Sequence, residues 1–566
     1  MADLNAPEPD GPQPLSAQSL EAALGARLAG RASLERGPRQ DDFTVRLAAV
    51  ADLPAAAAEL VQLGFGPAAL VATDELSSPD HDLKLRWLFE PVAHLPAGRR
   101  GRGSGTPELP PLEDRFVTLV AAIDASHPEA PSLTPALPAA NWHEREAQDL
   151  FGIRFAGHPD PRTLVLHDGW PRGLYPLRKS FDGRERPAAE PAEEFPHLRV
   201  EGEGVFEVPV GPIHAGIIEP GHFRFSSVGE GVLHLDPRLF YTHRGLEKRI
   251  EGLSAAEGFY VAERICGVCS VSHGLGFSEA VERIAAISPP PRARALRSVA
   301  LELERLYNHA GDIGNLCSGA SYHYGTSAGL RIKETLQRLN ERVAGNRFLR
   351  DFVVPGGVQR DFSPGLVRAI DETVQASARE LADLVERIEN NASVLDRFDD
   401  IGILTRQVAV DLGVTGVAAR ASGVDRDGRR DHPHAAFGDA GAPRARVVTH
   451  AEGDVQARFL VRAKEAQESA RLVRELLSAL PEGPLAAALP EALPPWGVGL
   501  AAIESPRGAA VHWLRADGSG RIDRYHLRSA SYANWPAVPF AAHSAIIPDF
   551  PLVNKSFELC YSCTDR

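Results

Sequence analysis

Cysteine is scarce in this 566-residue sequence, with five copies in all: Cys266, Cys269, Cys317, Cys560 and Cys563. So thin a supply excludes a disulfide-stapled scaffold, which is short and cysteine-dense. Positive charge is short as well. Lys and Arg number 61 against 75 Asp and Glu, and the formal charge of -14 argues against a nucleic-acid-binding surface, so no nucleic-acid partner is expected. Uncharged apolar runs of the ~20 residues that span a bilayer are missing. The start, MADLNAPEPDGPQPLSAQ, lacks the basic segment and apolar core of a secretory signal and carries no twin arginine. The single methionine, beside abundant Ala, Arg, Gly and Pro, reads as coding bias and carries no chemistry. What remains is an expected cytoplasmic globular protein, free or docked on membrane-bound partners, and long enough for roughly two to four domains.

The expected fold class is α+β. Residues 1–30, rich in Ala, Pro and Gly, predict a flexible segment. Residues 31–180 predict a small α/β domain: FTVRLAAV, LKLRWLFEPVAHL and RFVTLVAAI read as strands and DLPAAAAELVQLGF as a helix. GRRGRGSGTPELPPLED, between the last two strands, reads as a loop, and the continuation from NWHEREAQDLF reads as turn- and aromatic-rich. Prolines and charges at 181–205 predict a linker. From 206 to 566 a strand-rich entry gives way to amphipathic stretches near 256–287, 291–312, 328–349, 364–395 and 454–480, which predict a central helix bundle. A polar loop at 420–447, with Arg429 and Arg430 in solvent, interrupts it, and strand character returns from about 497. There is no internal repeat.

Four of the five cysteines form two C-x-x-C pairs, one in ERICGVCSVSHG ahead of an amphipathic stretch and one in SFELCYSCTDR. Two such pairs supply four thiolates, the usual donor set of a structural zinc or of an iron–sulfur cluster. Zinc ribbons bring their pairs together over roughly 15–20 residues. Here they stand at opposite ends of a long domain, which suits a buried active centre better than a local staple. A thioredoxin-like pair is disfavoured because neither C-x-x-C opens a helix of a small βαβ domain. Zinc and iron–sulfur both stay open on spacing alone.

Context narrows the choice. R-x-C-G-x-C, matched by Arg264, Cys266, Gly267 and Cys269, and the second C-x-x-C resemble the metal motifs of nickel–iron hydrogenase large subunits of the complex I-related, formate hydrogenlyase type. YTHRGLEKRIEG resembles that family's R-G-x-E segment, GPIHAGIIEPGHFRF its proton-relay segment and ESPRGAAVHW its P-R-G segment. WHEREAQDLFGIRF and the residues after it resemble the 30-kDa (C) subunit of respiratory complex I, and the remainder is similar to its D subunit.

The resemblance implies a nickel–iron centre whose iron carries carbon monoxide and cyanide. Cys266 and Cys560 would be terminal nickel ligands, Cys269 and Cys563 bridging ones, and Glu247 a magnesium ligand. It implies reversible H2 formation in which a proton passes from Cys560 to Glu219, with Arg507 over the open face of the metals. His273 is expected to bond a metal-bound sulfur or cap its helix, and His309 and Asp312 to support the site. Cys317 alone cannot hold an iron–sulfur cluster and is expected to be a small buried hydrophobe. Electrons must therefore pass through an iron–sulfur small subunit, with ferredoxin-like and membrane subunits beyond it and a formate or CO dehydrogenase as their source. The chain is expected to lie peripherally on the inner face of the cytoplasmic membrane, with the complex I C-like domain as an assembly surface. A complex I-type C/D subunit, with NAD- and quinone-linked chemistry and no hydrogenase activity, is the alternative; His214 matches its quinone-binding position. Two departures stand out: Glu558 and Leu559 replace the family's usual Asp-Pro, and Arg566 stands where uptake enzymes have a magnesium-binding histidine, so the C-terminal carboxylate or Arg566 itself must replace that interaction.

Overall fold

The structure, a computed structural model, describes residues 16–39, 42–92, 114–184, 186–192, 194–214, 218–543 and 545–566. The Gly- and Pro-rich loop expected at 98–114 lies almost wholly outside them. The N-terminal part holds helices α1 (Ala17–Arg27) and α2 (Leu53–Gln62) and a five-stranded sheet of β1 (Ala32–Arg36), β2 (Phe43–Leu47), β3 (Phe65–Asp74), β4 (Leu83–Pro91) and β5 (Val117–Ile123). Strand order is β1-β2-β5-β4-β3, with only the β2–β5 pair parallel. Helix α1 corrects the expectation of a flexible start at this point. Its Leu20 and Leu24, spaced one helical turn apart, are buried in the core below β1 and β2.

Strands β3 and β4 are buried almost throughout, on both faces. Leu70, Ala72, Leu85, Trp87 and Phe89 face the same core as Leu53 and Leu60 of α2. The alternate residues Ala69, Val71 and Leu88 face a second sheet, built from β13 (Val498–Ser505), β14 (Gly508–Ala516) and β15 (Ile522–Arg528), through Leu500, Val511 and Trp513. A strand covered on both sides reads as a continuous apolar run, so the strand at FGPAALVATD escaped the search for alternation. Helix α3 (Asn141–Phe151) packs into the core shared with α2, in the stretch expected to be rich in turns and aromatics. Nearly every residue of α3 is buried, charges included.

Residues 181–205 carry neither helix nor strand where described. The small pairs β6 (Glu129–Pro131) with β7 (Arg154–Ala156), and β11 (Val353–Val354) with β12 (Gly357–Val358), are accessory. A meander of β8 (Phe206–Val210), β9 (His222–Val228) and β10 (Gly231–Arg238) leads into α4 (Leu246–Ile250), α5 (Ala255–Ala262) and α6 (Ser270–Ile284). The bundle follows: α7 (Pro291–Gly319), α8 (His323–Ala344), α9 (Pro364–Glu389) and the helix Val455–Ser478. Proline at the first turn of α7 and of α9 suits positions where no backbone N–H is needed. Helix α7 is buried on nearly all sides, and its charged residues are therefore paired internally.

The 420–447 segment differs from the expected solvated loop. Arg429 is buried and ion-paired with Asp427 and, at 3.1 Å, with Glu302 of α7, while Arg430 stays at the surface.

Helices α7 and α8 cross where Gly314 meets Gly329; a Cβ on Gly329 would lie 2.6 Å from the Gly314 Cα and 2.9 Å from the Ala310 carbonyl. Gly329→Ala is expected to destabilise the protein by about 1–3 kcal/mol. Gly25→Ala, on the open face of α1, is expected to stabilise it by up to ~1 kcal/mol. Thermal melting of the two variants checks both signs.

Candidate metal centre

The first cysteine pair lies on the short loop between α5 and α6. Cys269 occupies the position just before α6, and the free N–H groups of Val271 (2.6 Å) and Ser272 (3.0 Å) are taken by the Glu304 carboxylate of α7. Asn308, one turn along α7, donates to the Val268 carbonyl at 2.8 Å, and Tyr307 to that of Gly267 at 3.4 Å. One helix thus grips the whole C-G-V-C loop. Burial pushes the Glu304 carboxyl up to about 7, against the opposing pull of Ser272 and the two backbone donors.

The second pair sits at the end of the helix Phe550–Phe557, which stops where Glu558 adopts a left-handed backbone (φ 53°), and on the short helix Tyr561–Asp565. Cys560 N–H donates to Ser531 Oγ (2.9 Å), and Ser529 Oγ donates to the Cys563 carbonyl (2.9 Å). Asp565 accepts from Phe240 N–H and Thr242 N–H, both at 3.0 Å, and Arg244 donates to the Ser562 carbonyl at 2.9 Å. The Arg566 carbonyl accepts from Arg244 N–H at 2.7 Å. Tyr561 packs edge-on against Trp535 and fills the space beside Gly221, where a Cβ would meet its ring at 2.7 Å.

These constraints bring the two pairs together. Cys563 Sγ lies 3.0 Å from Cys266 Sγ, 297 positions away in the chain. The sulfurs of Cys266, Cys269 and Cys563 and a ring nitrogen of His273 all lie within 4.8 Å of one another. Cys560 touches Cys266 and Cys563 and is the one thiol of the four that is not fully buried. His273 Nε2 is 3.2 Å from Cys563 Sγ, and burial pushes its pKa down to about 3, so the ring is neutral. Hydrogen bonds from Cys266 and Cys563 lower the Cys269 thiol to about 6, while the contact with Cys266 raises Cys560 well above its usual range. Four converging soft donors fit nickel and low-valent iron. The partly open side at Cys560 departs from the closed sphere of a structural zinc.

Glu219, half-buried, accepts a hydrogen bond from the Ser562 hydroxyl, between the two cysteines of the tail. His214 is exposed and contacts only the Pro212 carbonyl, at 3.3 Å, among the hydrogen bonds of the described residues. Arg507 lies in the tight turn between β13 and β14. Gly508 (φ 125°) permits the turn, since a Cβ there would strike Thr415 and Gly416. Arg507 is buried and makes a two-pronged pair with Asp312 of α7, and its Nε–H has no partner among the described residues. Although burial acts upward, Arg507 holds Asp312 well below the usual carboxylate range, and Arg462 adds to this. His309 bonds Glu465 at 3.1 Å. Glu558 bonds Asn315 of α7 at 2.6 Å; burial and the charge of Asp312 push it up to about 7. Cys317 is buried between α7 and α8, and burial raises its thiol to about 12, as befits an inert hydrophobe.

Two residues depart from expectation or escaped it. Glu247 is buried, but the groups around it are cations rather than an open cation site: Arg524 at 2.7 Å and Arg566 at 2.9 Å, with the His526 ring at 3.4 Å. Magnesium does not fit there. Glu146 of α3, which no sequence motif singled out, pairs with Arg566 at 2.6 Å, so the N-terminal sheet region reaches the cysteine tail directly.

Four cysteines held between a buried loop and a clamped tail form a donor cluster of the class that thiolate-ligated metalloenzymes use. Family comparison agrees. Residues 244–311 match the nickel-dependent hydrogenase family. Residues 324–500 and 488–566 match the 49 Kd subunit of respiratory-chain NADH dehydrogenase, and 75–187 its 30 Kd subunit. Formate hydrogenlyase subunit 5 of Escherichia coli is 36% identical over 80% of this chain and 79% of its own length. Hydrogenase-4 component G of the same organism is 35% identical over the same shares. Among solved structures, a chain of the membrane-bound sulfane sulfur reductase, an archaeal respiratory membrane complex, matches with TM-score 0.60 and 26% identity, covering 64% of this chain and 99% of that one. The chain belongs to the complex I-related, formate hydrogenlyase-type family of nickel–iron hydrogenase large subunits.

Burial pushes the Glu304 and Glu558 carboxyls up to about 7, so both are expected to be protonated at acidic pH and ionised at alkaline pH. A protonated-carboxyl infrared band is expected at about pH 5.5 and absent at about pH 8.5, losing part of its intensity in Glu304→Gln and in Glu558→Gln.

Proposed function

We propose that this chain is the catalytic subunit of a membrane-associated hydrogenase that interconverts H2 with protons and electrons at the four-cysteine centre. The observation that carries the reading is the convergence of both C-x-x-C pairs, with Cys563 3.0 Å from Cys266 and Cys560 at the open side. Cys266, Cys269, Cys560 and Cys563 would hold the nickel–iron pair. When bound, the metal pair supplies the soft Lewis acid that polarises H2 and the redox capacity that takes up its electrons.

The chain's own residues move the proton. Cys560, the one thiol of the four that is not fully buried, receives it. The next acceptor is Glu219, bonded to the Ser562 hydroxyl and itself in reach of solvent. A carboxylate so placed contributes typically ~10²–10⁴-fold to such transfers. Arg507, fixed by Asp312, keeps a permanent positive charge beside the thiolates and one unpaired N–H for a diatomic ligand. His273 steadies the Cys563 sulfur.

No further cysteine cluster exists among the described residues, so electrons pass to an iron–sulfur small subunit. Ferredoxin-like and membrane subunits would follow, with a formate or carbon monoxide dehydrogenase as the source. No helix among the described residues is long and apolar enough to cross a membrane; attachment in this reading is peripheral, through partners on the cytoplasmic face.

Infrared bands of metal-bound carbon monoxide and cyanide, with nickel and iron in the purified complex, are the expected outcome; zinc alone would sink the proposal. Cys560→Ser is expected to abolish H2–D2 exchange. Glu219→Gln is expected to slow that exchange by ~10²-fold or more without lowering nickel content.

A further inference from the structure

Glu146 of α3, Glu247 of α4 and His526 of β15 bring their ligand atoms within 4.8 Å of one another, all three buried. Two carboxylates out of water demand compensating charge. The Arg566 side chain supplies it. One of its terminal nitrogens, Nη1, bonds Glu247 Oε1 (2.9 Å) and the Leu527 carbonyl (2.7 Å), and the other, Nη2, bonds Glu146 Oε2 (2.6 Å). Its guanidinium lies over the Tyr532 ring, 4.9 Å from the centroid. The second oxygen of Glu247 faces Arg524 at 2.7 Å. Two carboxylates thus meet two guanidinium groups, and the charges balance without an ion.

A magnesium ion would need about six oxygens near ~2.1 Å and would keep several waters. Here it would meet two arginines on the oxygens it requires. Arg566 follows Cys563 by one turn of chain, so the cation that neutralises Glu146 and Glu247 is covalently part of the segment that carries the thiols.

We infer that the Arg566 guanidinium is the resident cation of this site, that the chain binds no divalent ion at Glu247, and that Glu146 is a positioning residue that ties the N-terminal sheet region to the cysteine tail. The inference rests on the cysteine centre being the working site, but its test does not read hydrogen chemistry.

The test uses the purified complex, dialysed with and without EDTA. Elemental analysis is expected to find no stoichiometric magnesium, manganese or calcium, and amide exchange of peptides covering 559–566 is expected to be unchanged by EDTA. One magnesium per chain, or tail protection that EDTA removes, would overturn the inference. Missing nickel with missing magnesium would instead strike the proposed function and leave this site's assignment standing. Glu146→Ala is expected to speed amide exchange in the tail on the order of tenfold, with β3 and β4 protected as before; Glu146→Gln, which keeps a hydrogen bond, is expected to fall between. An unchanged tail in both variants refutes the positioning role. Should Glu146→Ala fail to fold, the wild-type metal content and the Glu146→Gln variant still decide.

Discussion

Helix α7 reaches the first cysteine loop, Arg507 and the residue two before Cys560 through one row of polar side chains. Glu304 and Asn308 hold the Cys266–Cys269 loop, Asp312 holds Arg507, and Asn315 holds Glu558 just before Cys560. Arg305, on the adjoining face, donates to the carbonyls of Glu504 (2.6 Å) and Ser505 (2.9 Å) and fixes the strand end from which Arg507 projects. A rigid helix rises about 1.5 Å per residue, so these offsets set the spacing of loop, arginine and tail to within the tolerance of its own geometry. Chemistry that needs placement to a fraction of an ångström is better anchored on such an element than on loops.

That arrangement puts charges where water is absent. Arg420 bridges Glu465 and Glu504, Arg429 bridges Asp427 and Glu302, and Glu465 also receives His309. Each buried ion costs several kcal/mol of hydration, and pairs of this kind add little net stability. They do fix orientation, because any relative shift of α7, β13 and the helix Val455–Ser478 would strand an unpaired charge. The cost is offset by apolar packing elsewhere, notably the two sheets that meet through Leu88, Val71, Trp513 and Val511.

The tail shows the same economy of means. Ordering each residue costs about 1–2 kcal/mol of backbone entropy, and residues 560–566 recover it through partners from four separate regions: Ser529 and Ser531, the 240–244 loop, Glu219, and the Glu146–Glu247 pair. Motif resemblance singled out the cysteines, Glu219 and Arg507 as candidates, because each lies in a short segment that resembles one of the family's. Periodicity placed the bundle helices α7, α8, α9 and Val455–Ser478 to within about seven residues, since an apolar stripe marks them. Sequence reading did not single out Glu146 or Glu304, whose roles rest on partners far away in the chain, and it mistook Arg429 for a solvated side chain because a polar loop and a buried ion network have the same composition.

The amino-acid sequence by itself determined the four candidate donors, the order of the segments and, through its motifs, the resemblance to the family, because these are properties of the chain. Only the tertiary structure decided which cation stands beside Glu247. Arg566 and Glu146 are 420 positions apart, and no local pattern says that they share a water-free site. Their pairing follows from where the sheet region and the tail are forced to meet, and a charge buried there must be matched by whatever the fold brings within reach.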